Sequence, residues 1–105
     1  MIIVSNDELA LRELFEASPH GGEHLFRHYL YFPVEQACAE ATDELRRIGF
    51  TAEKQPSAFD ENWLALASHK MVLSNEAIAS IREQMEALAT KFGGEYDGWD
   101  AEVLG

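Results

Sequence analysis

Three histidines, His20, His24 and His28, recur at intervals of four residues. On a helix that interval stacks imidazoles along one face, where two of them could share a metal ion. Here Pro19, Gly21 and Gly22 interrupt any helix. On a strand, four residues span roughly 13 Å, far beyond two ligands that must each come within about 2 Å of zinc. The three therefore read as surface and strand residues, with His69 unrelated to them. HExxH, CxxC and the EF-hand ligand series are absent from the chain, so the expectation is no metal and no cofactor.

The acids near the end, Glu95, Asp97, Asp100 and Glu102, are a second candidate. Alternate strand positions bring two carboxylates onto one face about 7 Å apart, a separation at which one can act as acid and the other as base. With 19 Asp and Glu in 105 residues, chance alone supplies such pairs. No activated nucleophile, phosphate loop or Ser-His-Asp ordering stands near them. A solvated face is the better reading, and no catalytic residue is assigned. Cys38 is the only cysteine, which excludes an internal disulfide. Its place on an apolar helix face makes it a small buried hydrophobe before it is a nucleophile.

Aromatic residues offer a third candidate. Within HLFRHYLYF the period is near two, with Phe26, His28, Leu30 and Phe32 on one side and Arg27, Tyr29 and Tyr31 on the other. If the first set meets the core, Tyr29 and Tyr31 face outward, and Tyr96 on a neighbouring strand would join them. Such a face could stack single-stranded RNA, dock a protein or a second copy of the chain, or lie beneath an N-terminal helix. Against RNA stand the missing RNP-type stretch and the charge. The formal net charge is -11, from 8 Lys and Arg against 19 acids, so phosphate is repelled and nucleic acid is disfavoured. An acidic surface suits a protein with a basic segment.

These residues need elements to hold them. Ser5-Asn6 can cap a helix through Ala17, which Ser18-Pro19-His20-Gly21-Gly22 ends. A strand follows to Phe32. After Pro33, the residues Val34, Ala37, Cys38, Ala41, Leu45 and Ile48 keep helical spacing up to Gly49. Phe50 to Gln55 reads as a short strand stopped by Pro56, and Trp63 to Leu73 as a second apolar strand whose core-facing side stays ambiguous. Ser74 opens the longest helix, striped by Ile78, Ile81, Met85, Leu88 and Phe92 and stopped by Gly93. In the tail, Trp99, Ala101 and Val103 alternate with Gly98, Asp100 and Glu102, which predicts a last strand with a bulge at Gly98.

The order after the first helix is βαββαβ, the ferredoxin-like arrangement of an α+β two-layer sandwich with an antiparallel sheet. The apolar strands near 25–32 and 63–72 should be central, with both helices on one face. Residues 1–22 form an N-terminal helix and linker, and 23–105 one domain. No apolar run reaches the roughly 20 residues of a membrane span, and no basic leader precedes the first polar residues; the reading is a cytoplasmic protein with no membrane contact.

EAIASIREQMEALATKFGGEYDGWD and HYLYFPVEQACAEATDELRRIGFTAE resemble the ribonuclease E activity regulator B (RraB) family, as a short member, over roughly residues 24–103. In that family an amphipathic helix ending in a KF- or KY-like pair leads into a YDGW strand. The resemblance implies a ferredoxin-like fold and no catalysis. It also implies action by binding a protein, with docking on ribonuclease E outside its catalytic core to lower RNA turnover. In this light Tyr96-Asp97-Gly98 bends the returning strand and Trp99 anchors it to the core. The candidate partner-binding residues, Tyr29, Tyr31 and Tyr96, come from the strand alternation and not from the resemblance.

Overall fold

The computed structural model describes residues 2–4, 23–58, 60–72 and 74–103. In chain order its elements are β1 (Ile2–Val4), β2 (Glu23–Phe32), α1 (Glu35–Arg47), β3 (Thr51–Pro56), β4 (Trp63–Val72), α2 (Asn75–Lys91) and β5 (Glu95–Val103). They form one five-stranded sheet in the order β1-β5-β2-β4-β3, antiparallel at every pairing. The last four strands of that order, with the two helices, are the expected βαββαβ arrangement. The two apolar strands β2 and β4 lie inside the sheet as expected, and β1 makes β5 an interior strand as well. The helix expected over 5–17 lies outside the described residues. The strand β1 was not foreseen, because three apolar residues are too few to show a period.

Local chemistry explains the element ends. Ser74 caps α2, its hydroxyl accepting the Ala77 N–H at 3.0 Å. Beyond α1, the N–H of Phe50 reaches Leu45 O at 3.0 Å and that of Gly49 reaches Arg46 O at 3.2 Å; beyond α2, Gly94 reaches Ala89 O at 2.8 Å and Gly93 reaches Thr90 O at 3.1 Å. These paired bonds satisfy carbonyls that a helix leaves open, and they turn each chain sharply back into a strand.

Both helices pack on the same side of the sheet. Cys38, Ala41 and Leu45 of α1 and Ile81, Met85, Leu88 and Ala89 of α2 share a core with Leu30, Phe32, Ala52, Ala65 and Ala67. A second cluster joins Phe26, Ile78, Trp99 and Ala101. The ambiguity of β4 resolves toward its small residues: Ala65 and Ala67 face the helices, and the alternating Leu64 and Leu66 lie on the opposite side. Small side chains there let α1 approach the sheet closely. Among the described residues no helix is long and apolar enough to cross a membrane.

Candidate functional site

The sheet face turned away from α1 and α2 carries Arg27, Tyr29 and Tyr31 of β2, by the alternation that sends Phe26, Leu30 and Phe32 into the core. All three are half-buried. Asp100 of β5 lies directly opposite Arg27. Arg27 donates from Nε to Asp100 Oδ1 at 2.7 Å, and the Tyr29 hydroxyl donates to Asp100 Oδ2 at 2.6 Å. Asp100 is only 7% exposed, so its charge is matched inside the sheet by one guanidinium and one phenol. Burial, together with the bond to Asp100, pushes the Tyr29 phenol up to about 12, and Asp100 first of all raises the Arg27 guanidinium. Asp100 is therefore a fixed structural anion with both oxygens occupied, and its solvated-face reading gives way to an interior one.

Tyr31 stands at the other end of the same strand, between two adjoining clefts. One, of about 230 Å³, is lined by Tyr31, Ser57, Asp60, Asn62, Glu95 and Asp97. The other, of about 260 Å³, shares Tyr31, Asn62 and Glu95 and adds Pro33, Gly93 and Gly94. A Cβ on Gly94 would collide with both the Phe32 ring and the Tyr31 carbonyl oxygen, so the chain at the end of α2 lies flat against β2. Asp60 is held by Asn62, whose backbone N–H reaches its Oδ1 at 2.9 Å. Burial raises the Tyr31 phenol, with Asp97 and Asp60 adding to the shift.

Tyr96 does not join Tyr29 and Tyr31. Opposite β2 the register runs His28 to Trp99 and then Leu30 to Tyr96, so β5 spends one more residue than β2 over this stretch. This is the bulge expected at Gly98, whose φ is 104°. One extra residue reverses the facing of everything before it. Strict alternation from Trp99 puts Tyr96 outside; the bulge returns it to the helix side. There it packs against both core clusters beneath Arg82 of α2, 6.0 Å from its ring centroid. Trp99, on that same side, is 2% exposed and packs on Phe26 with centroids 5.3 Å apart.

Beside Tyr96 is a cluster that sequence reasoning missed. His28, fully buried, has its Nδ1 2.9 Å from the Tyr96 hydroxyl and its Nε2 3.0 Å from His69 Nε2. The Phe50 ring stands edge-on to both imidazoles. Burial, with His69 adding to it, pulls His28 down to about 3, and burial lowers His69 as well. Both imidazoles are therefore neutral at neutral pH, a hydrogen-bonded bridge across the sheet. Their separation in sequence hid the pair, and the spacing of four that drew attention to His28 was irrelevant to it. His24, 1% exposed, has no hydrogen-bond partner on either ring nitrogen among the described residues.

Other sequence candidates fall elsewhere. Cys38 is buried in the core, and burial raises its thiol, which suppresses the thiolate a nucleophile needs. Among the described residues no three His, Cys, Asp or Glu side chains converge on a point where a metal could sit. A cleft of about 420 Å³ between α1 and β3 is lined by Ala39, Thr42, Asp43, Arg46, Glu53 and Lys54. Arg46 turns its Nε to the Ala52 carbonyl at 2.9 Å and Lys54 pairs with Glu35 at 2.8 Å, so its cations guard the β3 edge.

Residues 9–101 match the family model described as regulator of ribonuclease activity B. No curated protein matches the chain.

Proposed function

Since the chain belongs to the RraB family, regulators of ribonuclease activity, we propose that it acts by binding a protein, ribonuclease E or another RNA-processing enzyme, in the cytoplasm. The observation that carries this reading is the family match, which spans the described domain from β2 into β5. The arrangement of the titratable groups supports it. The buried carboxylate Asp100 is neutralised, His28 and His69 are neutral and bonded to one another, and the thiol is enclosed. What the surface offers is shape and negative charge, which suit recognition of a basic protein segment. Tyr29 and Tyr31 are the proposed contact residues; Tyr96, on the helix side, supports the core.

The rival use of the tyrosine face, stacking of single-stranded RNA, has its electrostatics against it. Among the described residues the arginine on that face, Arg27, is already matched by Asp100, and the clefts beside Tyr31 are lined by carboxylates.

Binding tests the proposal. The protein is immobilised and full-length ribonuclease E is passed over it, alongside the isolated catalytic core and a single-stranded RNA oligonucleotide. The expected result is saturable binding of the full-length enzyme that weakens as salt rises, with little retention of the RNA. Absence of enzyme binding, or saturable salt-sensitive binding of the RNA alone, contradicts it.

A further inference from the structure

We propose that the paired clefts beside Tyr31 receive an arginine side chain from a basic segment of the protein partner. The guanidinium stacks on the Tyr31 ring, with Asp60, Glu95 and Asp97 as its counter-charges. This rests on the regulatory reading and locates its contact.

Four observations meet there. First, the clefts measure about 230 and 260 Å³. They adjoin and share Tyr31, Asn62 and Glu95, which gives room for one long side chain. Second, the negative charge is uncompensated. Every arginine among the described residues has a carboxylate elsewhere: Arg27 with Asp100, Arg46 with Asp43, Arg47 with Glu44 and Arg82 with Glu86. Glu95 and Asp97 have no cation among the described residues. Third, an aromatic ring flanks both clefts, and a planar guanidinium can stack on it while its donors reach carboxylates at the edge. A lysine ammonium has no such plane. Fourth, the wall is closely packed, since Gly94 lies against Phe32 and Tyr31 with no room for a side chain.

Charge also selects among occupants. RNA would bring phosphates to a wall of carboxylates, and a second copy would bring a surface of the same net charge of -11 with its described arginines already engaged. A basic segment of another protein is the complementary occupant.

The test titrates the full-length protein with a glycine-spaced arginine peptide, its citrulline counterpart and a lysine counterpart, followed by backbone amide NMR. Citrulline keeps the planar shape and removes the charge. The arginine peptide is expected to shift the amides of Tyr31, Gly94, Glu95 and Asp97, and to bind about tenfold more tightly than either control. The paired substitution Glu95→Gln with Asp97→Asn should weaken it by about tenfold. Tyr31→Phe should retain binding and Tyr31→Ala lose most of it. Shifts elsewhere on the surface, equal binding of the citrulline peptide, or no effect of the paired substitution overturns the proposal. So does an RNA oligonucleotide that produces the same shifts, or a concentration-dependent dimer that buries these residues. A ribonuclease assay separates the two levels. Regulation by the parent protein that the paired variant keeps in full overturns the cleft alone. No regulation by the parent counts against the regulatory reading, while the peptide titration still decides the cleft.

Discussion

The Nε2 atoms of His28 and His69 lie 3.0 Å apart, so one imidazole must donate to the other across the pairing of β2 and β4. With the Tyr96 hydroxyl at His28 Nδ1, three strands of the sheet are tied through one buried ring. The arrangement holds while His28 is neutral. Burial holds its folded-state value at about 3 against an ordinary 6.5, so the unfolded chain takes up the proton more readily. The stability linked to His28 is complete above pH 6.5 and is lost as the pH falls from there toward about 3. Chemical denaturation at pH 7 and pH 5 should show a loss of about 2 kcal/mol from this group. The His28→Phe variant should be flatter by that amount over the same interval. Equal pH dependence of parent and variant would remove the histidine bridge from the account.

His24 predicts the opposite sign of change. It is 1% exposed, and neither ring nitrogen has a hydrogen-bond partner among the described residues. A buried polar group in that state costs about 1 to 3 kcal/mol, and an apolar replacement of similar size removes the cost. His24→Leu should raise the thermal midpoint, by an amount equivalent to about 1 kcal/mol. A lowered midpoint would mean that the imidazole is satisfied in solution.

Arg27, Tyr29 and Asp100 act as one unit. Asp100→Ala leaves a guanidinium and a phenol facing each other without their acceptor, and should cost about 2 to 3 kcal/mol in urea denaturation. The double variant Arg27→Met with Asp100→Leu removes charge from both sides and should cost less than Asp100→Ala alone. Additive costs would show that the pair is uncoupled.

The bulge at Gly98 sets which side chains of β5 face the core. Its φ of 104° lies where a side chain is strained, so Gly98→Ala should destabilise the protein by about 1 to 3 kcal/mol. Unchanged stability would mean that the bulge can relax without loss.

How far the sequence disclosed this molecule follows from the range of each interaction. The stripe Ile78, Ile81, Met85 and Leu88 and the alternation of Phe26, Leu30 and Phe32 are local patterns, and they yield α2, β2 and the ferredoxin-like order directly. The facing of Tyr96 depends on carrying one extra residue through an alternating strand; the glycine that permits the bulge is legible in the sequence, the residue it adds to the register appears only once β5 pairs with β2. His28 with His69, and Asp100 with Arg27 and Tyr29, meet only after strands distant in sequence have paired. No spacing rule encodes those meetings. In the Tyr31 cleft, the tyrosine was visible from alternation, whereas the carboxylates around it come from the β3–β4 connection and from β5.

Regulation itself is tested most directly by the initial rate at which ribonuclease E cleaves a single-stranded RNA substrate, measured over increasing amounts of this protein. The account predicts a saturable fall in rate that is relieved as salt rises and is weaker for the Glu95→Gln, Asp97→Asn variant. A rate unchanged at protein concentrations well above that of the enzyme would contradict it.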